Sequence, residues 1–129
     1  ILIVVEVTVN LLKNKTMITI YHNPRCSKSR EGLCFLEEQN ISHKVVKYLD
    51  TGLTVEELSK IIKILNISPI ELVRTKEEIW KENYKDKTLS DEEIIKIMSE
   101  NPKLIERPIV INENQGVIAR PFSRINDII

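Results

Sequence analysis

The stretch Met17 to Arg30, M-I-T-I-Y-H-N-P-R-C-S-K-S-R, decides how the chain begins to fold. Its first five residues, Met17 to Tyr21, are a short β-branched and aromatic run, and His22-Asn23-Pro24 is a turn signal, so a strand runs into a loop here. From Ser27 to Gln39, Leu33 and Leu36 fall on one side and the charges on another, which predicts a helix. Cys26 then stands at the N-terminus of that helix. His43 to Leu49 (H-K-V-V-K-Y-L) suits a second strand, and a strand-helix-strand unit with a short connection pairs its strands in parallel. This is the opening of an α/β fold.

Further along, three helix starts carry capping boxes: Thr54 with Glu57, Thr75 with Glu78, and Ser90 with Glu93. The middle of the chain is therefore expected to be helical. Pro102 stops the last of these helices, and Pro108 to Ile111 and Val117 to Ala119 flank the turn-forming N-E-N-Q-G, which predicts a β-hairpin. After Pro121, Phe122, Ile125 and Ile128–Ile129 recur at the spacing of a short helix. Taken alone, this order gives one layer of sheet with helices, α/β or α+β.

With 129 residues, 42% hydrophobic and 29% charged, the chain has apolar material for one core. Nineteen basic residues balance nineteen acidic ones, so no global field draws it to nucleic acid or to an anionic membrane. Two cysteines cannot build the disulfide framework of a small secreted domain, and a reducing, cytoplasmic setting fits better. The apolar opening Ile1 to Val9 is interrupted by Glu6, with no basic residues before it and no small-residue cleavage site after it, so it reads neither as a signal peptide nor as a membrane span. Met17 suits a natural start. The expectation is a single domain over residues 17–129, with residues 1–16 an upstream extension outside the native domain whose Val5 to Val9 alternation suits addition to a sheet edge.

A cysteine at a helix N-terminus gains from unpaired N–H groups and the positive helix end, which favour thiolate over thiol. That makes Cys26 a candidate nucleophile, with Arg25 and Arg30 adding positive charge and the same amides able to cradle an oxyanion. A buried inert cysteine is the plain alternative. Cys34 lies eight residues further along the expected helix, about 12 Å away at 1.5 Å per residue, beyond the roughly 7 Å that a disulfide spans. Two cysteines and two histidines without paired ligand spacing argue against zinc. The low-molecular-weight phosphatase loop needs an arginine where residue 32 is glycine.

Of six arginines, Arg74, Arg107 and Arg120 stand apart from the lysines spread through the helices. Arg107 precedes Pro108 at a strand start and Arg120 precedes Pro121 at a strand end, so both can sit at the sheet edge beside the cysteine loop. Planar guanidiniums suit a tetrahedral oxyanion better than lysine does. Three unrelated surface arginines remain the alternative.

The segment Y-H-N-P-R-C-S-K-S-R (residues 21–30) resembles the active-site signature of glutaredoxin-coupled arsenate reductases. E-L-V-R (71–74), N-P-K-L (101–104), E-R-P-I-V-I (106–111) and A-R-P (119–121) resemble that family's later motifs in order, so the likeness covers Met17 to Ile129. It implies a thioredoxin-like fold with a helical insertion between the strand-helix-strand unit and the C-terminal hairpin plus helix. It implies that Cys26 attacks arsenate, that Arg74, Arg107 and Arg120 bind the oxyanion and hold the thiolate, and that His22, Asn23, Ser29 and Arg30 support the loop. It also implies a cis bond at Arg107–Pro108, glutathione as co-substrate, glutaredoxin as partner, and no bound cofactor or metal. The sequence departs from the family at Arg25, a position that is often small, and in ending soon after Arg120; both features resemble the family's shorter branch.

Two other functions use related sites. Regulators of the same fold bind RNA polymerase and sense oxidation through Cys-x-x-Cys, but residue 29 here is serine, which removes that switch. A glutathione-dependent thiol-disulfide oxidoreductase without arsenate activity is the other.

Overall fold

The structure is a computed structural model that describes residues 18–129. The expected N-terminal extension and the Met17 start lie outside the described residues. Strand β1 (Ile18–Tyr21) is followed by helix α1 (Ser27–Glu38), strand β2 (His43–Val46), the one-turn helix α2 (Tyr48–Thr51) and helix α3 (Val55–Leu65). A 3₁₀ turn (Pro69–Leu72), α4 (Glu78–Asn83), α5 (Asp91–Glu100) and a second 3₁₀ turn (Pro102–Leu104) complete the helical block. Strands β3 (Ile109–Asn112) and β4 (Gln115–Ile118) and a last 3₁₀ segment (Phe122–Asp127) close the described chain.

The four strands form one sheet in the order β2-β1-β3-β4. Strand β1 pairs with β2 in parallel, Ile18 opposite His43, as the strand-helix-strand reading requires. Its other edge pairs with β3 in antiparallel sense, Ile20 opposite Val110, and β3 turns back onto β4. This is the mixed α/β architecture of a thioredoxin-like domain with a helical insertion.

Both faces of the sheet are covered, which is why neighbouring residues on β3 are both fully buried. Ile109 joins a core with Leu58, Ile61, Leu72, Met98 and Leu104 from the helical block. Val110 joins Ile18, Ile20, Leu36 of α1, and Ile125 and Ile128 on the opposite face. Each such aliphatic side chain, removed from water, contributes about 1.5–3 kcal/mol. Among the described residues no helix is long and apolar enough to cross a membrane.

Glycine sets one approach that matters for the site. A Cβ built on Gly32 would stand 3.0 Å from Cγ of Pro108, so a larger residue there would push the Pro108 ring by a few tenths of an ångström. Glycine lets α1 lie this close to the Arg107–Pro108 segment without that shift. Residue 32 is thus a packing position against the site.

Several expectations are corrected. The second strand ends at Val46, and Lys47 to Leu49 do not continue it. Tyr48 turns into the core at 1% exposure, and a short helical turn closes there with Gly52 N–H donating to the Tyr48 carbonyl at 2.8 Å, Gly52 having φ 72°. Burial of a large ring wins over continued pairing at a sheet edge. Two of the three expected capping boxes form, at Thr54 with Glu57 and Ser90 with Glu93. The box at Thr75 does not form: α4 starts later, with Glu77 at its N-cap, because Arg74 N–H is already bonded to Leu104 O at 2.7 Å and Val73 bridges Ile105. A box not anticipated joins Ser68 and Glu71. The hairpin turn is tighter than the five-residue loop expected, with Asn112 pairing Gln115. The terminal segment is 3₁₀ rather than α-helical.

Candidate active site

The cysteine loop is built by local hydrogen bonds. Cys26 is the N-cap of α1 in extended conformation (φ −95°, ψ 124°), so its side chain lies beside the first unpaired amides of the helix. Asn23 O accepts from Cys26 N–H at 3.0 Å, and Asn23 Oδ1 accepts from Arg25 N–H at 3.0 Å. Ser29 is fully buried; its Oγ accepts from Asn23 N–H at 2.9 Å and pairs with His22 Nδ1 at 2.7 Å. Burial and the charge of Lys47 hold the His22 imidazole below its ordinary pKa. The neutral ring can accept the serine proton. Arg30 reaches back over the loop and donates from Nη1 to Pro24 O at 2.9 Å. His22, Asn23, Ser29 and Arg30 therefore form one clamp around the turn that presents Cys26.

The three singled-out arginines come together on the other side of the site. Arg74, Arg107 and Arg120, with Val73, Thr75, Lys76 and Glu106, line a cavity of about 260 Å³. The helical insertion delivers Arg74, while Arg107 and Arg120 flank the C-terminal hairpin. The bonds Arg107–Pro108 and Arg120–Pro121 are both cis; the second had no signal in the sequence reading. Arg107 is the most enclosed of the three, 13% exposed against 35% for Arg120. Its buried Nε has no hydrogen-bond partner among the described residues. A buried guanidinium N–H without an acceptor is unfavourable by about 1–3 kcal/mol, and an anion placed against it would remove that cost.

Cys26 does not line the cavity itself; Arg107 links the two halves. Burial pushes the Cys26 thiol up, but the amides of Ser29 and Lys28 and the Arg107 guanidinium outweigh it and hold the thiol below its ordinary pKa. At neutral pH a larger share is therefore thiolate. Cys34 has the opposite environment, exposed on α1, with Glu38 raising its pKa.

Two neighbours escaped the sequence reading. Glu106 places its Oε1 3.8 Å from Arg74 Nε, 3.4 Å from Arg107 Nη1 and 4.0 Å from Arg120 Nη1, so one carboxylate faces all three guanidiniums. Its place directly before Arg107 was the available signal. Tyr48 is the second: burial pushes its hydroxyl up to about 12, Arg107 and Arg74 pull against this, and Cys26 and Glu106 add to it. The hydroxyl thus shares one electrostatic neighbourhood with the cysteine and the arginine cluster.

A thiolate beside an arginine-lined cavity is the equipment of a thiol enzyme acting on an oxyanion. The chain belongs to the ArsC family, which it matches over residues 21–128. An arsenate reductase from Haemophilus influenzae is 43% identical over 114 residues, 87% of this chain and 98% of that protein. The uncharacterized protein YfgD of Escherichia coli (strain K12) is 46% identical over 114 residues, 87% of this chain and 96% of that one. Among solved structures, the arsenate reductase from Vibrio cholerae superposes with a TM-score of 0.84 at 45% identity, covering 88% of this chain and 98% of that one.

Proposed function

We propose that this protein reduces arsenate to arsenite with glutathione and glutaredoxin, using Cys26 as nucleophile and Arg74, Arg107 and Arg120 as the oxyanion site. One observation carries the reading: Arg107 stands between a cysteine whose thiolate it stabilises and a cavity in which it converges with Arg74 and Arg120. The named relatives that are arsenate reductases support it.

In this reading the Cys26 thiolate attacks arsenic, forming an S–As bond while one oxygen leaves as water or hydroxide. The arginines offset the repulsion between thiolate and oxyanion and hold arsenic in line with sulfur. Ser29 occupies the place of a loop thiol and cannot form a disulfide, so the reducing sulfurs come from outside. Glutathione displaces a second oxygen from arsenic as water. A glutaredoxin thiol then takes the glutathione sulfur into a mixed disulfide. The pair of electrons left on arsenic takes it from As(V) to As(III); arsenite is released by hydrolysis and Cys26 returns as the thiolate.

The test is arsenite production from arsenate by purified protein with glutathione and glutaredoxin. Turnover that needs both thiols supports the proposal. Rapid reduction of hydroxyethyl disulfide with no arsenite formed would replace it with a plain thiol-disulfide oxidoreductase.

A further inference from the structure

An arginine cluster built only to attract anions would carry no acid at its centre, yet Glu106 faces Arg74, Arg107 and Arg120 at 3.4–4.0 Å. Arg74 is also held by Glu77 at 2.8 Å. Glu77 does not line the cavity, whereas Glu106 does, beside the cationic Lys76. The carboxylate therefore stands inside the seat, where it both fixes the fan of guanidiniums and repels any further negative charge that enters.

We propose that Glu106 is a specificity-determining residue that weakens the preference of this cationic site for doubly charged over singly charged oxyanions. This rests on reading the cavity as the oxyanion seat. An incoming anion meets three arginines and one fixed carboxylate; every extra negative charge it brings gains from the first and loses to the second. A fixed carboxylate close to the bound anion lowers the gain per added charge, and in a partly exposed cleft one such neighbour is worth about tenfold in relative affinity. The same carboxylate, in contact with the guanidiniums, limits their movement without substrate, so the seat keeps its shape while its net charge is trimmed.

Two tetrahedral probes separate charge from shape: sulfate, a dianion, and perchlorate, a monoanion. Each is titrated as a protectant of Cys26 against iodoacetamide, with Cys26 and Cys34 distinguished by peptide mass spectrometry. Glu106→Gln, which keeps the shape and removes the charge, should raise protection by sulfate relative to perchlorate about tenfold, and Glu106→Asp should leave the wild-type ratio nearly unchanged. The ratio of iodoacetate to iodoacetamide rates at Cys26, in which the thiolate fraction cancels, should rise in Glu106→Gln as well. A purely structural role would weaken both anions together, and that result overturns the proposal. So does an unchanged ratio, or a wild-type Cys26 that neither anion protects. The readout needs no arsenate turnover, so arsenite production with an unchanged ratio refutes the role of Glu106 alone, whereas the shifted ratio without arsenite production refutes the substrate alone.

Discussion

Helix α1 carries one cysteine at each of two very different places. Cys26 caps its N-terminus, partly buried beside the amides of Lys28 and Ser29 and the Arg107 guanidinium; Cys34 sits eight residues on, exposed, its Sγ 3.5 Å from Oε1 of Glu38. Burial alone would make Cys26 the weaker acid. The opposite holds, because a helix end and a cation stabilise its thiolate while a carboxylate opposes that of Cys34. Thiol chemistry in this fold is thus decided by what surrounds the sulfur, and the comparison can be broken at either cysteine.

The largest effect is expected from removing one sulfur. Cys26→Ser should abolish arsenite formation while leaving the thermal midpoint within a few degrees of wild type, since no packing core depends on it. Cys34→Ser should leave turnover near wild type. Loss of activity in Cys34→Ser, measured by arsenite release, would make the second thiol a working part and undo the comparison.

Next in size is Arg107→Ala, which takes away the cation that stabilises the Cys26 thiolate and that the proposed reaction uses to hold the oxyanion. A loss of about a hundredfold in kcat/KM is expected, the scale of one preorganised oxyanion donor. The pH midpoint for alkylation of Cys26 should rise, because a contribution that lowers its pKa is gone. The profile of Cys34 should stay put. Arg107→Lys should recover part of the midpoint shift and less of the activity, since lysine keeps the charge and loses the fork.

Much of this arrangement was legible in the chain, for identifiable reasons. Strand β1, the loop and α1 are read from contiguous residues whose local preferences agree with the fold, and the clamp of His22, Asn23, Ser29 and Arg30 spans only a few positions. Arg74, Arg107 and Arg120 could be singled out, but their convergence depends on the helical insertion and the hairpin meeting at one cavity, which periodicity does not encode. Tyr48 was hidden inside an apparent strand, because a half-apolar run looks the same whether it continues a sheet edge or turns its ring into the core. Glu106 was hidden by its type: an acid beside an arginine reads as a surface pair until three guanidiniums are seen around it.

A smaller effect sharpens the Cys26 side. Ser29 Oγ is the one atom that joins His22 to the Asn23 amide, so Ser29→Ala leaves buried polar groups without a partner. Stability should fall by about 1–3 kcal/mol, read from denaturant unfolding. The loosened turn should cost about tenfold in kcat/KM, less than Arg107→Ala, because it misplaces the thiolate without removing a charge. An unchanged stability would mean that His22 and Asn23 find other partners.

The smallest effect tests the Cys34 side. Glu38 raises the pKa of that thiol through a hydrogen bond that holds the proton and through its negative charge, both of which vanish in Glu38→Gln apart from a weaker neutral contact. The thiolate share of Cys34 at pH 8 should therefore grow, and its alkylation rate with it, by about two- to threefold. The size is modest because Cys34 is exposed and water screens the pair. Salt separates these two contributions. In 1 M salt, where charges are screened within about 3 Å, the difference between wild type and Glu38→Gln should shrink to the part carried by the hydrogen bond, which salt does not screen. Cys26 should not respond to Glu38→Gln, since Glu38 is not among the groups acting on it. If Cys26 instead accelerates in Glu38→Gln, the two ends of α1 share one field, and the contrast between its cysteines is weaker than their surroundings imply.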